Sequence, residues 1–268
     1  MIKTFPVRNV ILALTLAGAS LAQAGMPEAG SFGELEQAGY VPLDLLTTPL
    51  LYPVATGKPY DARTLLLQGR NSLPADLKKR SRELDDRDEF KVHHALQAFK
   101  PHLEDRTTAL RKARGYLVGV RYSLGEYDFE HRRFPLKLQL QVAKPRSSES
   151  YHCSGAYDKI RNTLLSACVG PTNWNGKHPA FQYLAIDDIE QAQLIKQRLA
   201  QEKAGFFFVM QPDGPFRTDQ SGKMRFGMIN QTIVSGVQPA RVLGLLLVDL
   251  ETDTILISGP MPDAAPQR

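Results

Sequence analysis

Three carboxylates at alternating positions are the residues of this sequence best suited to chemistry. Glu126, Asp128 and Glu130 are each separated by one residue, so in an extended chain they share one face and span about 14 Å. Carboxylates at that spacing can bind Ca²⁺, or can hold one carboxyl with a raised pKa for acid–base catalysis. The triplet is therefore the candidate catalytic set, although the segment lacks the Asp-x-Asp-x-Asp-Gly pattern of a calcium loop.

The same segment also fits a purely structural role. Tyr127 and Phe129 fall on the opposite face of an extended chain, and Arg132 and Arg133 follow closely enough to neutralise the carboxylates. The alternative is an exposed hairpin end with two aromatic plugs and a solvated acidic side.

The sequence lacks the common metal-binding, nucleophilic and phosphate-binding motifs, and it offers one candidate binding residue. The six histidines show no HExxH spacing, and no Cys-x-x-Cys, Gly-x-Ser-x-Gly or phosphate-binding glycine loop occurs, so we expect neither a metal nor a cofactor. Trp174, the one tryptophan, stands in the polar stretch TNWNG. It is the candidate binding residue, because an exposed ring there could stack on a sugar or anchor a partner. The alternative is that the Trp174 ring packs against its own loop and stabilises it.

The two cysteines, Cys153 and Cys168, form an even count. In an oxidising compartment such a pair is expected to form a disulfide. The alternatives are two buried free thiols, or a catalytic cysteine beside His152.

The elements around the acidic segment follow a period of two. Apolar residues alternate over 116–124 and 136–142, and apolar strands are expected at 181–186, 206–210, 224–234, 240–249 and 254–258. A short helix is expected around 158–167, and a second one after Asp188.

Helical patterns precede the sheet. Asp61 is expected to cap a first helix, Pro74 to open a second and Asp85 or Asp86 to cap a third, which buries Phe90 and stops near Pro101. A fourth is expected over 103–113. Residues 25–60 are rich in Pro and Gly and predict an irregular arm, and 259–268 predict a loose tail. The prediction is a single α+β domain over 61–258, helical over 61–114 and sheet-rich over 115–258. Its sheet is expected to be mostly antiparallel, with one or two inserted helices.

The first 24 residues have the pattern of a signal peptide. Lys3 and Arg8 precede an apolar run of about a dozen residues, and Ala22-Gln23-Ala24 follows. That run is shorter than the roughly 20 residues of a membrane-spanning helix, and no later stretch is longer. We expect a periplasmic or secreted protein without a transmembrane segment; a buried N-terminal helix is the alternative.

The charge distribution argues against one class of partner, nucleic acid. The chain has 33 basic and 28 acidic residues, and residues 58–114 alone carry fourteen basic and nine acidic ones. A mild basic bias on helices differs from the clustered basic face, interleaved with aromatic residues, that binds nucleic acid. We therefore expect no nucleic-acid partner.

The sequence also resembles a known family. The segment YDFEHRRFP, an alternating strand, the later DDIEQAQLIKQRL and an apolar strand are similar to exported bacterial proteins classed as a domain of unknown function. The resemblance covers roughly residues 60–258 and implies no activity, substrate or catalytic residue.

Together these patterns favour a non-enzymatic exported module that contacts an envelope component through its sheet edge or the Trp174 loop. One alternative is a hydrolase of envelope polymers that uses Glu126, Asp128 and Glu130. Another is a periplasmic protein that binds a small ligand or a metal.

Overall fold

The computed structural model describes residues 26–139, 152–158, 163–173, 181–226 and 229–261. Its helices are α1 (Phe32–Gln37), α2 (Thr47–Thr56), α3 (Ala62–Gln68), α4 (Ala75–Arg80), α5 (Glu89–Arg111) and α6 (Ile189–Ala200). Its strands are β1 (Tyr40–Leu43), β2 (Gly115–Leu124), β3 (Arg133–Gln139), β4 (His152–Asp158), β5 (Thr163–Pro171), β6 (Tyr183–Ala185), β7 (Ala204–Pro212), β8 (Arg217–Phe226), β9 (Ile229–Asp249) and β10 (Thr254–Pro260). Short 3₁₀ turns span Arg70–Ser72 and Ser81–Asp85. The α+β prediction is confirmed.

Three of the described helices, α3, α5 and α6, begin at an aspartate whose side chain accepts from a free backbone amide. Asp61 accepts from the Arg63 amide at the start of α3, and Asp188 accepts from the Glu190 amide at the start of α6, as expected. Asp88, rather than Asp85 or Asp86, caps α5. The predicted cap of the third helix is therefore wrong by two or three residues.

The predicted third and fourth helices are one helix. α5 runs for 23 residues with Pro101 inside it, so the expected break at that proline is wrong. Proline removes one helical hydrogen bond, but Phe99 and Leu103 on either side are buried in the core and hold both halves of the helix in line. Phe90, expected to be buried, is 72% exposed.

The predicted irregular arm is also wrong, because residues 32–56 form α1, β1 and α2. Pro49 is the third residue of α2, where the amide has no partner within the helix and its loss costs little. Pro42 lies in β1, which pairs in the described chain with β2 alone, and proline is tolerated on such an edge strand.

One sheet unites the strands in the order β4-β5-β9-β7-β2-β3-β6. β1 pairs with β2, while β8 and β10 pair with β9, which is 21 residues long. The β1–β2 and β5–β9 pairs are parallel, and the remaining described pairs are antiparallel. This confirms the mostly antiparallel sheet.

Several local predictions about the later chain need correction. The strand expected at 224–234 covers the end of β8 and the start of β9, and the strand expected at 240–249 is the second half of the same β9. Residues 163–167, expected in a short helix, belong to β5. The backbone there pairs with β4 on one side and with β9 on the other, which satisfies its amides without a helix. Gly259 and Pro260, expected in a loose tail, end β10, and Met261 is buried. Residues 262–268 lie outside the described residues, as do the predicted signal peptide and Trp174.

The core lies on both faces of the sheet. The larger cluster, which includes Leu50, Phe99, Phe134 and Ile195, joins one sheet face to α2, α3, α5 and α6. On the other face, α1 contributes Leu35 to a smaller cluster. None of the described helices combines the length and hydropathy needed to cross a bilayer.

Candidate functional site

The acidic triplet lies in the loop that joins β2 to β3. The loop closes on itself, since Asp128 forms a single β-bridge with Arg133 and residues 129–132 turn between them. Arg132 takes a left-handed conformation with φ of 49°, which reverses the chain direction. The chain is not extended through the triplet, so the predicted shared face of Glu126, Asp128 and Glu130 is wrong.

Asp128 stabilises this turn. Its Oδ1 accepts from the amides of Glu130 at 3.1 Å and His131 at 3.0 Å, and its Oδ2 lies 2.8 Å from His131 Nδ1. Arg133 Nε lies 3.8 Å from the same oxygen. The hydrogen bond from the His131 backbone, and then the His131 side chain, lower the pKa of Asp128. A carboxylate held ionised in this way is unsuited to donate a proton near neutral pH.

Glu126, Asp128 and Glu130 belong to no cluster of metal-binding side chains within the part of the chain that the structure describes. Among the described residues, no group of three or more His, Cys, Asp or Glu side chains is placed to hold a metal ion. The catalytic role of Glu126, Asp128 and Glu130 stays a hypothesis, and the geometry gives it no support.

Behind the turn, three aromatic rings form a row from the core to the surface. Phe134 is buried, and its ring centroid lies 4.9 Å from that of Tyr127. Tyr127 in turn lies 5.0 Å from Phe129, which is 71% exposed. Both contacts are edge-to-face, the arrangement that aromatic quadrupoles favour. Of the two expected plugs, Tyr127 packs inward and Phe129 does not.

A hydrogen bond fixes the middle of this row. The Tyr127 hydroxyl donates to the carbonyl oxygen of Ile186 at 2.6 Å, which joins the loop to the residue after β6. The Ile186 amide donates to the Arg132 carbonyl at 2.9 Å. Phe129 therefore rests on a ring that is tied to a neighbouring strand.

A second aromatic residue, on β6, is also exposed. Tyr183 is 43% exposed, and the Arg133 guanidinium carbon lies 3.9 Å from its ring centroid, a cation–π contact. β6 pairs with β3 and is one of the two terminal strands of the sheet order, the other being β4. We call Phe129, Tyr183 and the strand β6 the aromatic edge.

The cysteines are bonded to each other. Cys153 on β4 and Cys168 on β5 lie directly opposite in the antiparallel register and form a disulfide that spans 15 residues. The predicted disulfide is confirmed, and the alternatives of free thiols and of a catalytic cysteine beside His152 are wrong.

A further polar cluster was not apparent from the sequence. The Arg106 guanidinium contacts Asp44 Oδ2 at 2.8 Å, the Thr47 hydroxyl, the Ser72 carbonyl at 3.0 Å and His102 Nε2 at 2.9 Å. Only the spacing of four between His102 and Arg106 is visible in the sequence, as neighbours on one helix face. We call these residues the Arg106 cluster.

The Arg106 cluster joins α2 and α5. Asp44 Oδ1 accepts from the amides of Leu46 at 2.9 Å and Thr47 at 2.6 Å, at the start of α2. Burial, and then the nearby Arg106 charge, lower the pKa of His102. Because each charged group already has partners within the chain, the cluster stabilises the fold and does not present a binding site.

No protein-family model, curated protein or solved structure matches this chain. The resemblance to exported bacterial proteins therefore stays a prediction, and the candidate site depends on the geometry of the aromatic edge.

Proposed function

We propose that this protein is an exported, non-enzymatic interaction module of the cell envelope, and that its aromatic edge is the contact surface. The observation that carries the proposal is Phe129, a large apolar side chain that is 71% exposed yet held by an ordered row of rings.

The physical argument concerns the free energy of binding. An exposed ring gains free energy when a partner covers it, because apolar surface leaves water. A ring that is already immobilised loses less conformational entropy on binding than a free side chain does. Aromatic residues are accordingly enriched at protein interfaces. Phe129 is exposed, and its edge-to-face contact with Tyr127 restricts the ring on one side, so both effects favour binding there.

Two features support export. The pattern of residues 1–24 is typical of a signal peptide. The disulfide between Cys153 and Cys168 is the kind of bond that persists in oxidising compartments and is rare in a reducing cytosol.

The experiment is capture from a detergent extract of the cell envelope with the immobilised protein, quantified by mass spectrometry. Phe129→Ala is the test variant. Phe90→Ala is its matched control, because Phe90 is equally exposed at 72% but lies on α5, outside the aromatic edge.

We expect at least one envelope component to bind the wild-type protein and the Phe90→Ala variant. We expect Phe129→Ala to weaken that binding by about tenfold or more, the effect of removing an anchor worth over roughly 1.4 kcal/mol. Equal capture by all three proteins, or no specific capture by the wild type, would contradict the proposal.

A further inference from the structure

The backbone of β6 has an inner and an outer side. The Leu136 amide donates to the Gln182 carbonyl at 2.7 Å, and the Ile186 amide donates to the Arg132 carbonyl at 2.9 Å. These bonds turn the backbone groups of residues 182, 184 and 186 toward β3. Because hydrogen-bonding direction alternates along a strand, the amide and carbonyl groups of Tyr183 and Ala185 point away from the sheet.

No described strand lies beyond β6 to receive those groups. Both residues are exposed, and the strand Tyr183–Ala185 contains no charge and no proline, the features that usually block pairing at a sheet edge. The β10 edge differs, since Ser31 bridges Thr254 and the Ile255 amide donates to the Gly30 carbonyl. Among the described residues, the chain pairs with the first two residues of β10, whereas β6, like β4 at the other end of the order, has a neighbouring strand on one side only.

We propose that a second copy of this chain pairs with β6, antiparallel and about a twofold axis at Leu184. The inference rests on the proposed function in one respect, that the aromatic edge is a contact surface; the partner here is a second copy of the chain and not the envelope component. The dimer is isologous, so each copy offers the same surface to the other.

The alternation of inward-pointing and outward-pointing backbone groups along β6 favours this register. A twofold axis at Leu184 places Tyr183 of one copy opposite Ala185 of the other, and both are outward-pointing residues. Each such pair exchanges two amide–carbonyl bonds, and the axis generates the pair twice. Four bonds result, and every outward amide and carbonyl of the two strands is satisfied.

The side chains fit the same register. Directly opposed residues of an antiparallel pair project to the same face, so the large Tyr183 ring lies beside the small Ala185 of the other copy. Arg133, which covers Tyr183 within one copy, is already adjacent to Asp128. The strand itself brings no charged side chain to the axis, and the exposed Asp187 and Asp188 lie three and four residues away from it.

The test uses the purified protein itself, by sedimentation velocity over a concentration series from about 1 to 500 μM, a range suited to a small edge contact. The test variant is Ala185→Pro, which removes an outward amide and leaves the β3–β6 bonds of residues 184 and 186 in place. The matched control is Ala185→Ser, which keeps both the amide and the small side chain.

We expect a monomer–dimer equilibrium for the wild type and for Ala185→Ser. Ala185→Pro deletes two of the four bonds, so we expect its dissociation constant to rise by about tenfold or more. A wild type that stays monomeric throughout, or an Ala185→Pro variant that dimerises like the wild type, overturns the dimer.

Amide exchange of the wild-type protein, followed by NMR, gives a readout that does not depend on the proline variant folding. We expect exchange of the Tyr183 and Ala185 amides to slow as concentration rises, while the Leu184 amide is protected throughout. Concentration-independent exchange at both residues overturns the proposed register. A monomer that still captures an envelope component through Phe129 overturns only the dimer, and a β6 dimer that captures none overturns only the envelope partner.

Discussion

Replacement of Asp44 tests how the helical layer is held together. One oxygen of this carboxylate accepts from the Leu46 and Thr47 amides at the start of α2, and the other pairs with Arg106 on α5 at 2.8 Å. Asp44→Ala removes both functions. Asp44→Asn keeps an oxygen for the amides and removes the charge, so the two variants separate the cap from the ion pair.

The structure sets the expected size of each effect. Loss of a helix cap costs about 1 kcal/mol. A charged hydrogen bond contributes about 1.5–3 kcal/mol when buried, but the Asp44 and Arg106 side chains are 32% and 21% exposed, so we reduce this to about 1–2 kcal/mol for solvent screening. We expect Asp44→Ala to lower the free energy of unfolding by about 2–3 kcal/mol, and Asp44→Asn by about 1–2 kcal/mol.

Urea unfolding measured by circular dichroism checks these values, with a thermal scan in which 1 kcal/mol corresponds to about 2–4 °C for a chain of this size. Asp105→Ala is the matched control, since Asp105 is an exposed acid next to Arg106 on α5, and we expect it to change stability by less than about 0.5 kcal/mol. Equal losses for the alanine and asparagine variants would refute the role of the cap. A loss no larger than that of Asp105→Ala would refute the role of the whole cluster.

Two further predictions concern pH and the disulfide. In the folded protein the pKa of His102 lies below its ordinary value of 6.5 because of burial and then Arg106, although Asp44, Asp105 and Asp76 oppose the shift. The unfolded chain therefore binds the proton more tightly than the folded protein does. The contribution of His102 to stability is complete above pH 6.5 and is lost as the pH falls through the folded pKa. His102→Gln, which can still accept from Arg106 Nε, should flatten the decline in urea midpoint between pH 7 and 5, and an unchanged slope would contradict this. The double variant Cys153→Ser, Cys168→Ser should lower the free energy of unfolding by up to about 3 kcal/mol, because the disulfide closes a 15-residue loop. The wild type should show no free thiol when it is alkylated under denaturing conditions without reductant. Two labelled cysteines would exclude the disulfide.

Local signals in the sequence predicted the elements that depend on them. Asp61 and Asp188 cap α3 and α6 as expected, because a cap is an interaction between residues close in the chain. The period of two over 116–124 predicted β2 correctly for the same reason, since side chains alternate between the two faces of a single strand. Burial itself does not alternate over residues 115–118, all of which are buried.

Predictions failed where distant residues decide the structure. The stretch 163–167 has a helical pattern, but it pairs with residues 232–236 of β9, which lie far along the chain. Pro101 was expected to end a helix, and buried contacts on both sides of it outweigh the missing hydrogen bond. Propensity is a weak signal when tertiary packing opposes it.

At the candidate site too, the sequence indicated where the loop lies, but the contacts that shape it did not follow from the sequence. The sequence identified the loop at 125–135 as unusual, but the alternation of Glu126, Asp128 and Glu130 predicted an extended face, and Asp128 instead binds the amides of its own turn. Exposure of Phe129 depends on where Tyr127 finds its hydrogen-bond acceptor, 59 residues away at Ile186. Pattern alone does not reveal such a partner.

The length of β9 has a consequence for the order in which the protein is made and folded. Its 21 residues pair with β5, β7, β8 and β10, so no subset of the earlier strands can complete the sheet by itself. Among the described strands, the β4–β5 pair and the group formed by β1, β2, β3, β6 and β7 are joined into one sheet only through residues 229–249. A chain that ends before Ile229 would therefore lack the strand that connects β5 to β7, and its two groups of strands would have no common neighbour.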